Sequence, residues 1–247
     1  MQESTITPKR ALVGILVFQL GLAGLLFIGD LQGGGFSLLP SGAPNAPGMD
    51  QPIRPGDQTR RFEPTRAPQG FPDTGNLPNR LVLSQEEGDK WLLEGTIAPG
   101  DAARISGQIA NDDTIKVITL NSPGGSVQDA LALGRSLRRL GLNTRVDDGR
   151  ICLSACPYLL ASGTERVVHS AAMVGVHQHY FGKNTLLPAF VAVEDIQRGQ
   201  GDVMSYLDDM GIDPLLMRHA LVTPPDDIYV LVANELETYR LATTVID

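Results

Sequence analysis

A buried strand, a glycine loop and an amphipathic helix follow one another in the middle of the chain. Ile115–Leu120 is rich in β-branched residues and is typical of a strand covered on both faces. The loop Asn121–Gly125 ends in two glycines, whose backbone can approach a ligand closely. Ser126–Leu140 is amphipathic, and Gly141 is suited to end the helix. This unit predicts an α/β fold, because parallel sheets are built from such units.

The rest of residues 80–247 alternates between strand and helix patterns. Further strands are predicted at Leu81–Leu83, Trp91–Leu93, Asn143–Val146, Ile151–Leu153, Val167–His169 and Met173–His177. Further helices are predicted at Asp101–Ala110, Phe190–Met210, Pro214–Leu221 and Glu235–Tyr239. Asp101 is suited to cap its helix, and Phe190–Met210 is expected to be interrupted near Gly199 and Gly201. Arg138 and Arg139 are interpreted as part of a solvated helix face.

The N-terminal segment Ala11–Ile28 contains no charged residue. As a helix it would span roughly 27 Å, close to the thickness of a bilayer's hydrocarbon layer. Lys9 and Arg10 precede it, and the positive-inside rule then places residues 1–10 in the cytoplasm. No small-residue cleavage pattern follows directly, which favours an uncleaved transmembrane signal-anchor helix over residues 11–29 rather than a removed signal peptide.

Residues 30–79 are rich in proline and glycine and carry scattered charges. Such a composition buries too little apolar surface to offset the entropy of the chain, so we interpret it as a disordered linker. The linker would tether a domain at residues 80–247, which in a bacterium lies in the periplasm, anchored to the inner membrane.

The charge balance excludes one class of partner. The chain has 20 basic and 28 acidic residues, a net charge of −8, and contains no basic run. An acidic surface of this kind has little to offer nucleic acid, so no nucleic-acid partner is expected.

Ser154 is the first candidate for chemistry. The apolar run Ile151–Leu153 reaches it, and a helical pattern begins just after it. A serine at such a junction exposes its hydroxyl at the end of the sheet, where the backbone N–H groups of the next turn can bind an oxyanion. The alternative is a plain helix-capping serine, which needs no chemistry.

Cys152 and Cys156 are the only cysteines in the sequence, and they flank Ser154. In an oxidising compartment two cysteines this close favour a disulfide, which would rigidify the turn. The alternatives are a pair of buried small hydrophobic residues and a redox-sensitive switch. Cys156 is disfavoured as a nucleophile because it lies half a helical turn from the expected position.

The order of four sequence elements resembles that of the Clp protease proteolytic subunit, a member of the crotonase-like superfamily. The four elements are L-N-S-P-G-G-S (Leu120–Ser126), C-L-S-A-C around Ser154, V-G-V-H-Q (Val174–Gln178) and P-P-D-D-I-Y (Pro224–Tyr229). The resemblance covers roughly Lys116–Asp247, and the presence of an anchor makes the chain similar to membrane-anchored or periplasmic relatives of that subunit. It implies a ClpP/crotonase-like spiral of βαβ units.

The resemblance also implies roles for individual residues. Ser154 would be the nucleophile, His177 the general base and Asp227 the acid that orients His177, with the backbone amides of Gly125 and Ala155 as the oxyanion hole. Asp226 is an alternative acid, because the family's segment needs a one-residue gap to align. In the closing motif E-x-Y-G-L, the chain has Arg240 in place of glycine.

The implied function is a membrane-tethered, ATP-independent serine peptidase that acts on peptides or unfolded protein segments. A homo-oligomer is expected, with Phe190–Met210 as the candidate contact. No cofactor and no metal are expected: His179 shares a strand face with His177, but no further residue has ligand-type spacing. His169 and His219 are expected at the surface or the core edge. Two alternatives stay open, a catalytically silent scaffold or peptide-binding protein and a crotonase-type acyl-CoA enzyme; the serine and histidine weaken the latter.

Overall fold

The computed structural model describes residues 9, 13–23, 59–61, 77–179 and 189–247. The chain divides into two units, Met1–Asn45 and Ala46–Asp247. In the first unit, residues 13–23 form helix α1 with exposed side chains. The rest of the predicted anchor lies outside the described residues. Among the helices in the described ranges, none is both long and apolar enough to cross a bilayer.

One sheet of the second unit has six strands in the described part of the chain. Their order is β10 (Thr244–Ile246), β7 (Arg166–His169), β5 (Asn143–Val146), β4 (Val117–Asn121), β3 (Lys90–Glu94) and β2 (Val82–Glu87). Neighbours pair in parallel except the β2–β3 hairpin, which is antiparallel. The mostly parallel sheet confirms the α/β class. Strand β10 was not predicted.

A second sheet in the described residues has four strands. Their order is β1 (Thr59–Arg61), β9 (Asp227–Val230), β8 (Met173–Val176) and β6 (Ile151–Leu153). Strands β6 and β8 are parallel, and the other two pairs are antiparallel. Strand β1 lies within residues 30–79, where a linker is predicted. Main-chain pairing with β9 supplies the order there, and such pairing needs no apolar side chain.

Six helices in the described part of this unit cover the sheets. They are α2 (Asp101–Ala110), α3 (Val127–Arg139), α4 (Cys156–Ala161), α5 (Ala189–Asp209), α6 (Met217–Val222) and α7 (Ala233–Thr238), and a 3-10 turn at Pro214–Leu216 precedes α6. Helix α5 continues through Gly199 and Gly201, so the predicted interruption is wrong. Each glycine costs a helix only about 1 kcal/mol, and the burial of Val203, Tyr206 and Leu207 outweighs this.

Asp101 is not the cap of α2, because Gly100 precedes the helix in a left-handed conformation. The Asp101 carboxylate is fully buried and accepts hydrogen bonds from Arg80, Arg104 and the N–H groups of Leu81 and Ala98. Burial alone would raise the pKa of Asp101, but these bonds outweigh it and lower the pKa to about 2. Asp101 therefore links the start of the domain to α2.

Arg138 is not a solvated residue, contrary to the prediction. Its guanidinium donates to the carbonyl oxygens of Ala161, Ser162, Gly163 and Met210, at 2.7–3.1 Å. These oxygens lie at the end of α4 or just after the ends of α4 and α5, where carbonyls have no partner within the helix. Arg139 is exposed, as predicted.

The chain leaves β4 between the two sheets. The Asn121 carbonyl accepts from Gly95 N–H beyond the end of β3, and the next residue, Ser122, forms a bridge to Cys152 in β6. The glycine loop that follows therefore runs beside the end of β6. This placement brings the loop and the Ser154 junction together.

Candidate active site

Gly124 lies directly against the Ser154 turn. The Ser122 N–H donates to the Ile151 carbonyl at 2.8 Å and the Leu153 N–H to the Ser122 carbonyl at 3.0 Å, a parallel register that brings Gly124 beside Ser154. Gly124 has a φ of 96°, and a Cβ there would lie 2.5 Å from Ser154 Cβ and 2.8 Å from Ala155 N. Only glycine fits at this contact. Sequence reasoning gave the next glycine a role and missed this one, although the paired glycines were the available signal.

Ser154 occupies a strained turn between strand β6 and helix α4. Its φ is 60°, in the left-handed region that non-glycine residues rarely adopt. Its N–H donates to the Gly175 carbonyl of β8 at 2.9 Å. A disulfide joins Cys152 and Cys156 across the turn, with a Cα separation of 5.0 Å. The predicted disulfide is thus confirmed, and a covalent bond closes the strand-to-helix junction around the serine hydroxyl.

The structure brings His177 and Ser154 together. The His177 Nε2 atom lies 2.8 Å from Ser154 Oγ, and the histidine is only 5% exposed. Strands β6 and β8 are parallel neighbours in which Leu153 pairs with Gly175. The residues that follow the two strands therefore emerge at the same edge of the sheet. A hydroxyl and an imidazole nitrogen at this separation can exchange a proton.

The surroundings of His177 favour the neutral imidazole. Burial lowers its pKa, and the nearby His179 lowers it further. The Pro225 carbonyl, a hydrogen-bond acceptor for the imidazole, and the charge of Asp226 act in the opposite direction, and the net pKa is about 4. At neutral pH the imidazole is therefore uncharged, and in the tautomer that carries its proton on Nδ1 the Nε2 atom can accept the serine proton.

The candidate acids lie in a tight turn that leads into β9. The Asp227 N–H donates to the Pro224 carbonyl at 3.0 Å and so closes the turn. Asp226 is exposed, and its negative charge favours protonated His177. Asp227 is half-buried as the first residue of β9, and its role as the orienting acid stays a prediction. Sequence reasoning missed the Pro225 carbonyl, because every residue has a backbone carbonyl and the sequence therefore gives no signal for this one.

The two predicted oxyanion-hole amides flank the glycine loop contact. The Ile97 N–H donates to the Gly124 carbonyl and the Ser126 N–H donates to the Ile97 carbonyl, so the N–H of the intervening Gly125 points away from Ile97. Ala155 directly precedes α4 and is fully buried beside Gly124. Their roles as oxyanion donors stay predictions.

Two other histidines, His179 and His219, lie in aromatic surroundings. His179 Nε2 is 2.8 Å from the hydroxyl of the fully buried Tyr158 in α4, and burial lowers the pKa of His179. His219 stacks on Tyr229, with ring centroids 4.3 Å apart, and lies at the core edge as predicted. Within the described ranges, no three His, Cys, Asp or Glu side chains gather as a set of metal ligands.

Comparison of this sequence with protein-family models and with curated proteins gave no match. The site is therefore described by its own geometry. A serine hydroxyl at a strained strand-to-helix turn faces a neutral, buried imidazole, and a glycine loop packs against the same turn. This arrangement is suited to acyl transfer through a serine nucleophile.

Proposed function

We propose that the chain is a serine hydrolase of the Clp protease type that cleaves peptides or unfolded protein segments. The observation that carries this proposal is the 2.8 Å separation of Ser154 Oγ and His177 Nε2. The left-handed turn at Ser154 adds to it, because strain held at one residue is common at reactive sites. A helix-capping serine needs neither feature.

In the proposed reaction, Ser154 Oγ attacks the substrate carbonyl carbon while His177 Nε2 accepts the hydroxyl proton. The tetrahedral intermediate then collapses, the C–N bond breaks, and the imidazolium returns the proton to the leaving amine. Water repeats the sequence on the acyl-serine, releasing the acid and restoring the hydroxyl. The amides of Gly125 and Ala155 would stabilise the oxyanion, each contributing roughly 3–4 kcal/mol.

The proposal includes a site of action outside the cytoplasm, with the apolar N-terminal segment as a membrane tether. The disulfide supports this placement, because such bonds persist in oxidising compartments. ATP-independent action on short or unfolded segments follows from that location. Assembly into a homo-oligomer through α5 is part of the same proposal.

The test is labelling of the full-length protein with a fluorophosphonate probe, which reacts with activated serine hydroxyls. We expect labelling of the wild type and of Ser170→Ala, an exposed serine used as the control, and none of Ser154→Ala. Peptide hydrolysis should fall by at least roughly 10³-fold in Ser154→Ala.

Labelling that survives in Ser154→Ala excludes Ser154 as the nucleophile. An unlabelled wild type, under both reducing and oxidising conditions, contradicts the hydrolase proposal and favours a silent, peptide-binding protein. Acyl-CoA turnover that is unaffected by Ser154→Ala would favour the crotonase-type alternative.

A further inference from the structure

Strand β1 pairs with the first three of the four residues of β9. The registered pairs are Thr59 with Tyr229, Arg60 with Ile228, and Arg61 with Asp227. On its other side, β9 pairs with β8 only at Tyr229 and Val230. Among the described strands, β1 is therefore the only one that pairs with Asp227 and Ile228.

The same end of β9 carries the turn Pro224–Asp227. Thr223, just before this turn, accepts a hydrogen bond at 3.0 Å from the N–H of Gln178, the residue after His177. Asp227 closes this turn through its hydrogen bond to the Pro224 carbonyl. The two residues between Pro224 and Asp227 are Pro225 and Asp226, and both raise the pKa of His177. A shift in the first residue of β9 would therefore move both groups relative to the imidazole.

We propose that Thr59–Arg61 is a positioning strand: by pairing with the start of β9, it holds the Pro224–Asp227 turn against His177 and so keeps Nε2 directed at Ser154. The segment that precedes the α/β domain thereby becomes part of the active-site support, although it contributes no reacting atom. For its kinetic readout the inference rests on the proposed hydrolase function.

The experiment compares two double variants of the full-length protein. Arg60→Pro with Arg61→Pro removes two successive backbone N–H groups, and one of them must face β9 because N–H groups alternate along a strand. Arg60→Ala with Arg61→Ala is the matched control, since it removes the same two charges and keeps both N–H groups. The first readout is the rate of fluorophosphonate labelling. The second is the midpoint of the His177 titration, followed by NMR of the histidine ring and assigned with His177→Ala.

We expect the double proline variant to be labelled at least ten times more slowly, with the alanine control within two-fold of the wild type. The midpoint of the His177 titration should move to lower pH in the proline variant alone. Pro225 and Asp226 raise the pKa of His177, and their effect would be lost, whereas His179, which lowers this pKa, would keep its place. Equal labelling rates and equal midpoints in the two variants would overturn the inference.

Two further outcomes keep the test decisive. If the double proline variant does not fold, the single variants Arg60→Pro and Arg61→Pro are compared. Only one of them removes an N–H group that faces β9. Unequal labelling rates of the two single variants would therefore support the inference, and equal rates would contradict it. If the wild type is not labelled, the proposed function fails, and the His177 midpoint alone decides the positioning role.

Discussion

At the scale of single residues, backbone conformation marks the places where this chain departs from ordinary geometry. Ser154 and Arg240 are the two non-glycine residues with a left-handed φ, of 60° and 57°, in the described ranges. Such a conformation costs roughly 1–2 kcal/mol for a residue with a side chain. Arg240 has this strain two residues after the end of helix α7. Ser154 has the same strain at the proposed nucleophile.

Gly124→Ala should disable the site while leaving the fold in place. The new Cβ would meet Ser154 Cβ and the backbone of Leu153 and Ala155, so the turn must shift. Gly149→Ala is the matched control, because Gly149 has a left-handed φ of 67° with open space around it. We expect fluorophosphonate labelling to fall at least 100-fold in Gly124→Ala and to stay near the wild-type rate in Gly149→Ala. Similar rates in both variants would show that the loop contact is not needed.

The pH dependence of labelling should follow the depressed pKa of His177. The base is active when unprotonated, and burial with the neighbouring His179 lowers its pKa to about 4. We therefore expect a labelling rate that is constant from neutral pH to about pH 5 and falls as the pH passes through about 4. A half-maximal rate near the ordinary histidine value of about 6.5 would contradict this environment. Labelling at a series of pH values, with stability followed in parallel, is the measurement.

At the scale of the elements, backbone carbonyl oxygens at the ends of two helices accept hydrogen bonds from a side chain of a third helix. Arg138 of α3 reaches carbonyls at or just after the ends of α4 and α5, and so connects the helix behind Ser154 to its neighbours. The hydroxyl of Tyr206 in α5 also donates to the Tyr158 carbonyl of α4, at 2.7 Å. These contacts fix α4, whose start forms one side of the Ser154 turn.

Arg138→Ala should therefore destabilise the protein far more than Arg139→Ala. Removing Arg138 leaves several carbonyl oxygens without their charged donor, which costs about 2–3 kcal/mol of unfolding free energy. Arg139 is exposed and donates to Ser136 Oγ, so its removal should change the free energy by less than about 0.5 kcal/mol. Urea unfolding of the two variants measures the difference. Equal losses would mean that the Arg138 bonds are not stabilising.

At the scale of the whole molecule, the end of β4 joins the two sheets, and the site forms where they meet. Ser122 bridges to β6 just after Asn121 has taken part in the larger sheet. The carboxylate of Asp101 has a comparable task at the start of the domain, where it ties Leu81 and Arg80 to α2. Buried ionic groups of this kind stabilise the fold only while all their partners are present.

Asp101→Asn should cost about 2–3 kcal/mol, because the buried side chain would lose the charge that strengthens its hydrogen bonds from the partly exposed Arg80 and Arg104, and an amide nitrogen would replace one of its two acceptor oxygens. The folded-state pKa of Asp101, about 2, lies below its ordinary value. The unfolded chain therefore binds more protons between about pH 4 and pH 2, and stability contributed by Asp101 is lost as the pH falls through this range. Denaturation at several pH values should show this loss in the wild type and in Asp113→Asn, an exposed control, but not in Asp101→Asn. The same acid dependence in all three proteins would contradict the role of Asp101.

Much of the element order could be predicted from the sequence. Asp101–Ala110, Asn143–Val146 and Ile151–Leu153 match their elements residue for residue, because their periodicity and end signals are local. Strands β1, β9 and β10 were not predicted. Each is defined by its pairing with a strand far away in the chain, and its own residues do not signal that pairing.

Residue type, spacing and local periodicity predicted the α/β class and favoured the disulfide between Cys152 and Cys156, because all three are present in the linear chain. The resemblance to the Clp protease subunit added His177 as the partner of Ser154. The contact of Gly124 with the Ser154 turn, and the influence of Pro225 and Asp226 on the pKa of His177, arise only in the folded protein. The tertiary structure also decided that residues 59–61 complete a sheet. These features are contacts between segments that lie far apart in the chain. They involve backbone atoms, which every residue has, and therefore residue types do not indicate them.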